Sequence, residues 1–252
     1  MSTQPLQGKV AIVTGGTRGI GEAIVNILAK QGASIVINYT ASEDRATALV
    51  KTLVEAGGKA ISIQADIGAV DGAKKIVDAA VKEFGKIDIV VNNAAVATFQ
   101  GIEEVQLEEY DRQYNINVRG PLLLVKESTP HLQENGRIIN ISSVAARFGM
   151  PGSSVYAGTK GALESMSRVW AHEFGGKNIT SNTINPGPVS TDMALSQSAE
   201  VLDGLNKVVQ NAALKRFATV EEIATVAAFL ASPGSQWVTG DVLNANGGLI
   251  FT

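Results

Sequence analysis

Short runs of apolar and β-branched residues alternate with longer helical patterns along nearly the whole chain, and this alternation limits the fold more than any other feature. The runs Ile35-Val36-Ile37 and Ile87–Val91 lack the polar–apolar alternation of a strand with one face in water. Both faces of these strands are therefore predicted to be buried, as in a parallel sheet. Repeated β–α units of this kind predict an α/β fold: a doubly wound, Rossmann-like parallel sheet with helices on both faces.

The same patterns define where each predicted strand and helix begins and ends. Ser42 is a candidate N-cap for the second helix. The predicted strands are Val10–Thr14, Ile35–Tyr39, Ala60–Gln64, Ile87–Asn92, Arg137–Ser142, Ile179–Asn185 and Val242–Asn244. The predicted helices are Gly19–Gln31, Ser42–Ala56, 70–84, 106–128, 154–174 and 220–231.

No proline- or serine-rich linker and no internal repeat divides the 252 residues, so we predict a single domain over residues 1–252. The longest irregular stretch is predicted at about 187–218, starting from Pro186-Gly187-Pro188. A long segment beside a compact sheet is often a lid or a binding loop. We therefore expect this stretch to contact the substrate.

Composition excludes several functional classes. The chain has no cysteine, which removes disulfides, thiolate catalysis and cysteine-based metal centres. His131 and His172 form no spaced pair near an acidic cluster, so no metal site is expected. A net charge of −3 without a basic stripe disfavours nucleic acid as a partner. No apolar stretch approaches the ~20 residues that span a bilayer, and Met1–Lys9 has no apolar signal core. We expect a soluble, cytoplasmic protein without membrane contact.

The first predicted strand ends in a glycine-rich turn, Thr14-Gly-Gly-Thr-Arg-Gly-Ile-Gly21. Glycines there let the backbone approach a pyrophosphate, and the following helix N-terminus offers free N–H groups and a positive dipole end. A plain cluster of turn glycines is the alternative, which the position directly after the first strand disfavours. The candidate ligand-binding residues are Gly15, Thr17, Arg18, Gly19, Ile20 and Gly21.

Tyr156 and Lys160 are four residues apart in a helical pattern and therefore share a face. A phenol has a reference pKa of ~10, and a nearby ammonium lowers such a pKa by about 1–3 units. Such a pair could serve acid–base chemistry near neutral pH. Taken alone, the motif is more typical of a surface Tyr–Lys pair without a catalytic role.

Together, the two motifs make the chain similar to the short-chain dehydrogenase/reductase family, from about Lys9 to Gly248. Serine hydrolase and P-loop motifs are absent. The markers of the resemblance occur in order: the Thr14–Gly21 turn, Asp66, Asn92-Asn-Ala-Ala95, Asn117, Ser143, Tyr156-x-x-x-Lys160, and Pro186-Gly187 followed by Thr191.

The resemblance implies a dinucleotide-binding catalytic domain and a role for each marker. Tyr156 is expected to protonate a carbonyl oxygen, Ser143 to orient that oxygen, and Lys160 to hold ribose hydroxyls and lower the Tyr156 pKa. Asn117 is expected to hold a water in a proton relay. Adjacent Ser142 points to the opposite strand face, and the family spacing of thirteen residues to the tyrosine selects Ser143. Further cofactor-binding residues implied by the family are Asp66, Ile67, Asn93, Ala94, Ala95, Pro186, Gly187, Val189 and Thr191.

The end of the second strand indicates which nicotinamide cofactor is used. NAD-selective members carry an acidic residue there, whereas this chain reads Asn38-Tyr39-Thr40-Ala41-Ser42. Arg18 is placed for a 2′-phosphate, with Asn38, Thr40 and Ser42 as neutral donors and Tyr39 beside them. The resemblance therefore implies NADP(H), although some relatives have a second cation at the Thr40 position.

The substrate is expected to be a small, largely apolar or aromatic ketone or aldehyde, because the residues predicted to face it are mostly apolar. They are Val96, Ala97, Thr98, Phe99, Phe148, Met150, Val189 and the 190–212 loop. The chain resembles a branch of the family that contains 3-oxoacyl-carrier-protein reductases, fungal hydroxynaphthalene-type reductases and glucose dehydrogenases. Gln133-Glu134-Asn135 offers no basic surface to an acidic carrier protein. An NAD-dependent sugar or steroid alcohol dehydrogenase, a carrier-protein reductase and a non-catalytic dinucleotide sensor remain alternatives.

A homotetramer is expected from the resemblance and from the apolar, glycine-rich segment Val238–Phe251.

Overall fold

The computed structural model describes residues 4–195 and 199–251. The strands are β1 (Val10–Val13), β2 (Ser34–Tyr39), β3 (Ala60–Gln64), β4 (Ile87–Asn92), β5 (Leu132–Ile141), β6 (Thr180–Pro186) and β7 (Val242–Ala245). The helices are α1 (Gly19–Lys30), α2 (Glu43–Glu55), α3 (Gly72–Phe84), α4 (Leu107–Tyr114), α5 (Gly120–Ser128), α6 (Ser154–Phe174), α7 (Asp192–Leu195), α8 (Ala199–Asn211) and α9 (Val220–Ala231).

All seven strands pair in parallel in the order β3-β2-β1-β4-β5-β6-β7. The order reverses between β1 and β4, so the connections that leave these two strands run to opposite sides of the sheet. A crevice opens at such a switch point, beyond the carboxyl ends of the strands. The predicted doubly wound parallel sheet is confirmed.

Two apolar layers cover the sheet, because successive strand residues point to opposite faces. Ala11 and Val13 of β1 pack into the layer beneath α1, α2 and α9. Ile12, between them, packs into the layer beneath α3, α5 and α6. Trp170 of α6 belongs to the second layer and is buried there, so it is a core residue.

The helix predicted over 106–128 is interrupted at the point where it passes the crevice. A π-helical turn, Asn115–Arg119, separates α4 from α5. Pro121 follows this turn and has no backbone N–H to donate to the preceding turn of helix. Widened turns of this type are frequent at functional sites, and Asn117 lies within this one.

The prediction of an irregular stretch over 187–218 is wrong for α7 and α8. Leu202, Leu205, Val208 and Val209 recur at the spacing of one helical face, and the side chain of Val209 is buried. Residues 196–198, within the predicted loop, lie outside the described part of the chain. The fifth strand is also longer than predicted, since it starts at Leu132 and ends before Ser142.

Among the described residues, no helix combines the length and the apolar character that crossing a membrane requires.

Candidate active site

A cleft of about 610 Å³ lies at the carboxyl edge of the sheet, at the switch point between β1 and β4. It brings together nearly all of the residues proposed from sequence. Those lining it are Gly15, Thr17, Arg18, Gly19, Ile20, Gly21, Tyr39, Thr40, Ser42, Asp66, Ile67, Asn93, Ala94, Ala95, Ser143, Tyr156, Lys160, Pro186, Gly187, Val189 and Thr191.

The glycine-rich turn has a shape that side chains would block. Gly15 and Gly19 have φ angles of +61° and +55°, in the left-handed region that favours glycine. A Cβ on Gly21 would lie 2.2 Å from the Gly15 carbonyl oxygen and 2.5 Å from Asn93 Nδ2. The Arg18 side chain does not cap α1, so the helix N-terminus stays open toward the cleft. These residues fit the pyrophosphate of a dinucleotide.

A hydrogen-bonded brace fixes this turn to the chain that leaves β4. The Thr14 hydroxyl oxygen accepts the backbone N–H groups of Asn93 and Ala94 at 3.0 Å each. The Asn93 side-chain amide donates to the carbonyls of Thr14 and Gly15 at 2.8 and 3.1 Å. Asn93 is predicted from the sequence to line the site, whereas no sequence pattern assigns a role to Thr14, which is nearly inaccessible to solvent.

At the end of β2, Tyr39, Thr40 and Ser42 line the cleft and Asn38 does not. Asn38 is buried, and its side-chain amide donates to the Ala65 carbonyl at 2.9 Å. The assignment of Asn38 as a donor to the cofactor is therefore wrong. Ser42 occupies the N-cap position of α2 as predicted, but its hydroxyl makes no capping hydrogen bond.

The catalytic candidates meet where β5 ends against α6. Tyr156 and Lys160 lie one turn apart on α6, and Ser143 is the second residue after β5. The Lys160 ammonium is buried and donates to the Ile141 carbonyl at 2.8 Å. Ser142 also lines the cleft, but its hydroxyl is directed to the Lys160 carbonyl oxygen, 3.3 Å away within the protein. The selection of Ser143 over Ser142 agrees with this geometry.

Burial dominates the titration of both α6 groups. It raises the pKa of the Tyr156 hydroxyl, and a hydrogen bond with Ser143 lowers that pKa by a smaller amount. Burial also lowers the pKa of Lys160 to about 8. The expected lowering of the Tyr156 pKa by Lys160 does not appear, because the ammonium is directed at Ile141, 5.7 Å from the centre of the Tyr156 ring. Tyr156 is therefore protonated at neutral pH and able to donate a proton.

Asn117 braces the wall of the cleft and does not line it. Its side-chain oxygen accepts the Val96 N–H at 2.9 Å, and its amide donates to the Val96 carbonyl at 2.8 Å. The same amide reaches the Thr159 hydroxyl, 3.1 Å away on α6. Both polar groups of the side chain are thus bound to protein, and the relay water at Asn117 stays a prediction. Thr159 went unnoticed in the sequence.

The end of the cleft beyond Tyr156 is apolar. Phe99 presents its ring to Tyr156 at 5.9 Å between centroids and 64° between planes. The other apolar residues lining this end are Val96, Ala97, Phe148, Met150, Val189, Leu205 and Val208. Thr98 does not line the cleft, contrary to expectation, because its hydroxyl donates to Glu109 at 2.6 Å. Arg112 lines the cleft unpredicted, and Glu109 holds its guanidinium at 2.7 Å.

Within residues 4–195 and 199–251, no group of three or more His, Asp or Glu side chains is arranged to hold a metal ion.

Similar proteins share this architecture over almost their whole length. A family model described as Enoyl-(acyl carrier protein) reductase matches residues 15–250. An uncharacterized oxidoreductase of Methylorubrum extorquens is 47% identical over 247 residues, covering 97% of this chain and 98% of that protein. A hydroxynaphthalene reductase of Aspergillus fumigatus is 38% identical, covering 94% and 90%. The crystal structure of a blue fluorescent protein from a metagenomic library, in complex with NADPH, superposes with a TM-score of 0.94 at 39% identity and covers 98% and 100%.

The Gly21 contacts predict that Gly21→Ala weakens dinucleotide binding. A Cβ at this position would force the Gly15 carbonyl out of the turn. We expect NADPH affinity, measured by fluorescence titration, to fall at least tenfold. Gly176→Ala is the control, since a Cβ there meets nothing within 4 Å. Unchanged affinity in Gly21→Ala would contradict this account of the turn.

Proposed function

The chain belongs to the short-chain dehydrogenase/reductase family of NAD(P)-dependent oxidoreductases, and on that premise we propose that it reduces the carbonyl group of a small, largely apolar or aromatic ketone or aldehyde with NADPH. The proposal rests on one observation: a single cleft is lined by Ser143, Tyr156 and Lys160. These side chains lie between the glycine-rich turn, which leaves room for a pyrophosphate, and an apolar pocket. A non-catalytic sensor has no use for this set of three side chains.

The proposed chemistry divides between the cofactor and the protein. Bound NADPH supplies the hydride, so the protein must supply placement and a proton. Ser143 donates a hydrogen bond to the carbonyl oxygen and holds it beside Tyr156. The Tyr156 hydroxyl donates its proton to that oxygen as the alcohol forms. Lys160 holds the ribose hydroxyls and places a positive charge near the phenolate that remains, and Asn117 helps to return a proton from solvent.

Selection of NADP(H) is attributed to the mouth of the cleft. Arg18 is exposed there, and Thr40 and Ser42 line the same region without any acidic residue at the end of β2. A 2′-phosphate would meet a guanidinium and hydroxyl donors, and β2 ends without a carboxylate that would repel it. The NADPH complex of the metagenomic relative supports this choice.

The apolar end of the cleft supports the substrate class. Phe99, Phe148 and Met150 form walls suited to a flat ring system, and the Arg112 charge is neutralised by Glu109. The hydroxynaphthalene reductase among the relatives acts, by its name, on an aromatic compound. The name of the family model makes reduction of an enoyl thioester the alternative to test.

The activity is tested by following nicotinamide absorbance with a panel of aromatic ketones, aliphatic ketones, sugars, steroids and enoyl thioesters, using NADPH and NADH in parallel. We expect turnover of aromatic ketones with NADPH. Turnover of enoyl thioesters alone would replace ketone reduction with alkene reduction. Binding of NADPH without turnover of any compound would favour the sensor.

Tyr156→Phe is expected to lower kcat by at least about 10²-fold, because general acid catalysis contributes about 10²–10⁴-fold. NADPH affinity and the unfolding transition should be unchanged, since one hydroxyl is lost. Tyr110→Phe, on the outside of α4, is the matched control. If Tyr156→Phe kept a tenth of wild-type turnover, another group would have to be the acid.

The rate of reduction is expected to depend on the charge of Lys160. Its ammonium is present below its pKa of about 8 and is lost above it, whereas an ordinary lysine keeps its charge to about pH 10. Since kcat/KM reports on the free enzyme, its profile should be flat below pH 8 and fall above it. A profile that stays flat to pH 9.5 is incompatible with this role for Lys160.

Arg18→Ala should weaken NADPH binding by about 10- to 150-fold, because a hydrogen bond to a charged group contributes about 1.5–3 kcal/mol. NADH, which has no 2′-phosphate, should bind as before. Arg168→Ala, an exposed arginine of α6, is the control. The assignment of NADP(H) is wrong if the wild-type protein prefers NADH, and an unchanged NADPH affinity in Arg18→Ala would move the preference to Thr40 and Ser42.

A homotetramer is also proposed. Large apolar side chains are exposed to solvent at Val169, Phe229, Trp237 and Phe251. Trp237 is 97% exposed. Contiguous exposed apolar patches mark interfaces, and we propose that these side chains of α6, of α9 and of the chain after α9 form one. Sedimentation velocity at micromolar concentration should show a tetramer, which Trp237→Ala weakens. A wild-type monomer would contradict the assembly.

A further inference from the structure

A buried carboxylate lies behind the proposed catalytic residues, and the chemistry described so far does not use it. Glu164 follows Lys160 by one turn of α6 and is only 4% exposed. A carboxylate in such a place costs stability unless charged and hydrogen-bonding partners surround it. The identity of those partners therefore indicates what the side chain does.

Both oxygens of Glu164 are bound to the loop that carries Ser143. Oε2 pairs with the Arg147 guanidinium at 3.0 Å, and Oε1 lies 3.3 Å from the Ser142 hydroxyl. Ser142 immediately precedes Ser143, and Arg147 follows the short 3₁₀ turn Val144–Ala146 that Ser143 begins. One side chain of α6 thus holds the loop on both sides of the serine.

The same helix carries the groups that must act together with this serine. Tyr156 and Lys160 lie on α6 ahead of Glu164, and Lys160 adds a bond of 2.8 Å to Ile141, at the end of β5. Ser143 Oγ accepts the Ala145 N–H at 3.2 Å, so the position of its hydroxyl depends on the loop conformation. The distance between Ser143 and Tyr156 therefore depends on how the loop is fixed to the helix.

We propose that Glu164 is a positioning residue: its carboxylate clamps Ser142 and Arg147 to α6 and thereby sets the place of the Ser143 hydroxyl relative to Tyr156. This inference rests on the proposed function for its effect on turnover. The attachment of the loop to α6 by Glu164, which we call the clamp, can be measured without any substrate.

The clamp is tested first by hydrogen exchange of the ligand-free protein. In Glu164→Leu, amides of the segment 142–148 should exchange at least tenfold faster than in the wild type. Glu173→Leu is the matched control, since Glu173 is an exposed residue of the same helix. Unchanged exchange in Glu164→Leu overturns the clamp whether or not a substrate is known, so this result is separate from a failure of the proposed function.

The effect of Glu164 on turnover is tested with the ketone that the substrate panel identifies. Misplacement of a reacting group by about 1 Å costs up to ~10²-fold, so kcat should fall about 10- to 100-fold in Glu164→Leu. It should fall less in Glu164→Gln, which keeps one acceptor oxygen. NADPH affinity should stay within about twofold. A kcat within twofold of the wild type in Glu164→Leu overturns the proposal.

A double-mutant cycle with Ser143→Ala separates positioning from general weakening of the fold. If Glu164 acts through Ser143, Glu164→Leu should lower kcat by less than about threefold in the Ser143→Ala background. Two effects that multiply in full would overturn the proposal. Should Glu164→Leu fail to fold, Arg147→Met opens the same clamp from its partly exposed side, and wild-type kcat and exchange in that variant would also overturn it.

Discussion

Parallel pairing of β1, β4 and β5 is the constraint on which the site depends. Parallel strands end at the same edge, so the segments that follow these three strands must lie side by side. They carry the glycine-rich turn, the Asn93–Ala95 segment and Ser143. The connections after β1 and β4 leave on opposite sides of the sheet, and the space between them becomes the cleft.

Burial of polar groups next to this edge stabilises the geometry and tunes its chemistry at the same time. Lys160, Asn117 and Glu164 are all almost inaccessible to solvent. Each has specific partners, since an unpaired buried polar group would cost about 1–3 kcal/mol. Those partners are Ile141, Val96 with Thr159, and Ser142 with Arg147. Desolvation, which makes these contacts necessary, also lowers the pKa of Lys160 and keeps Tyr156 protonated.

Sequence patterns predict a structural feature correctly where one physical rule alone determines that feature. Buried strands and the glycine-rich turn predicted the sheet and the phosphate end of the cleft. The choice of Ser143 over Ser142 came from the family spacing to the tyrosine, since both serines lie beyond the end of β5. Alternation along β2 places Asn38 and Tyr39 on opposite faces, so it allows only one of them to face the cofactor. Helical spacing likewise would have found α8 and placed Glu164 on the face of Lys160. The direction of the Lys160 ammonium and the π-helical turn around Asn117 depend on tertiary contacts, which no local pattern contains.

The central claim is that this cleft places a carbonyl carbon for hydride transfer while Tyr156 supplies the proton. Single-turnover reduction of an accepted ketone with NADPH deuterated at the transferring position of the nicotinamide tests it most directly. The account predicts deuterium on the carbinol carbon of the product, a primary isotope effect on the chemical step, and loss of that step in Tyr156→Phe. A product without deuterium at that carbon would contradict direct transfer within the cleft, and an undiminished step in Tyr156→Phe would contradict the role of the tyrosine.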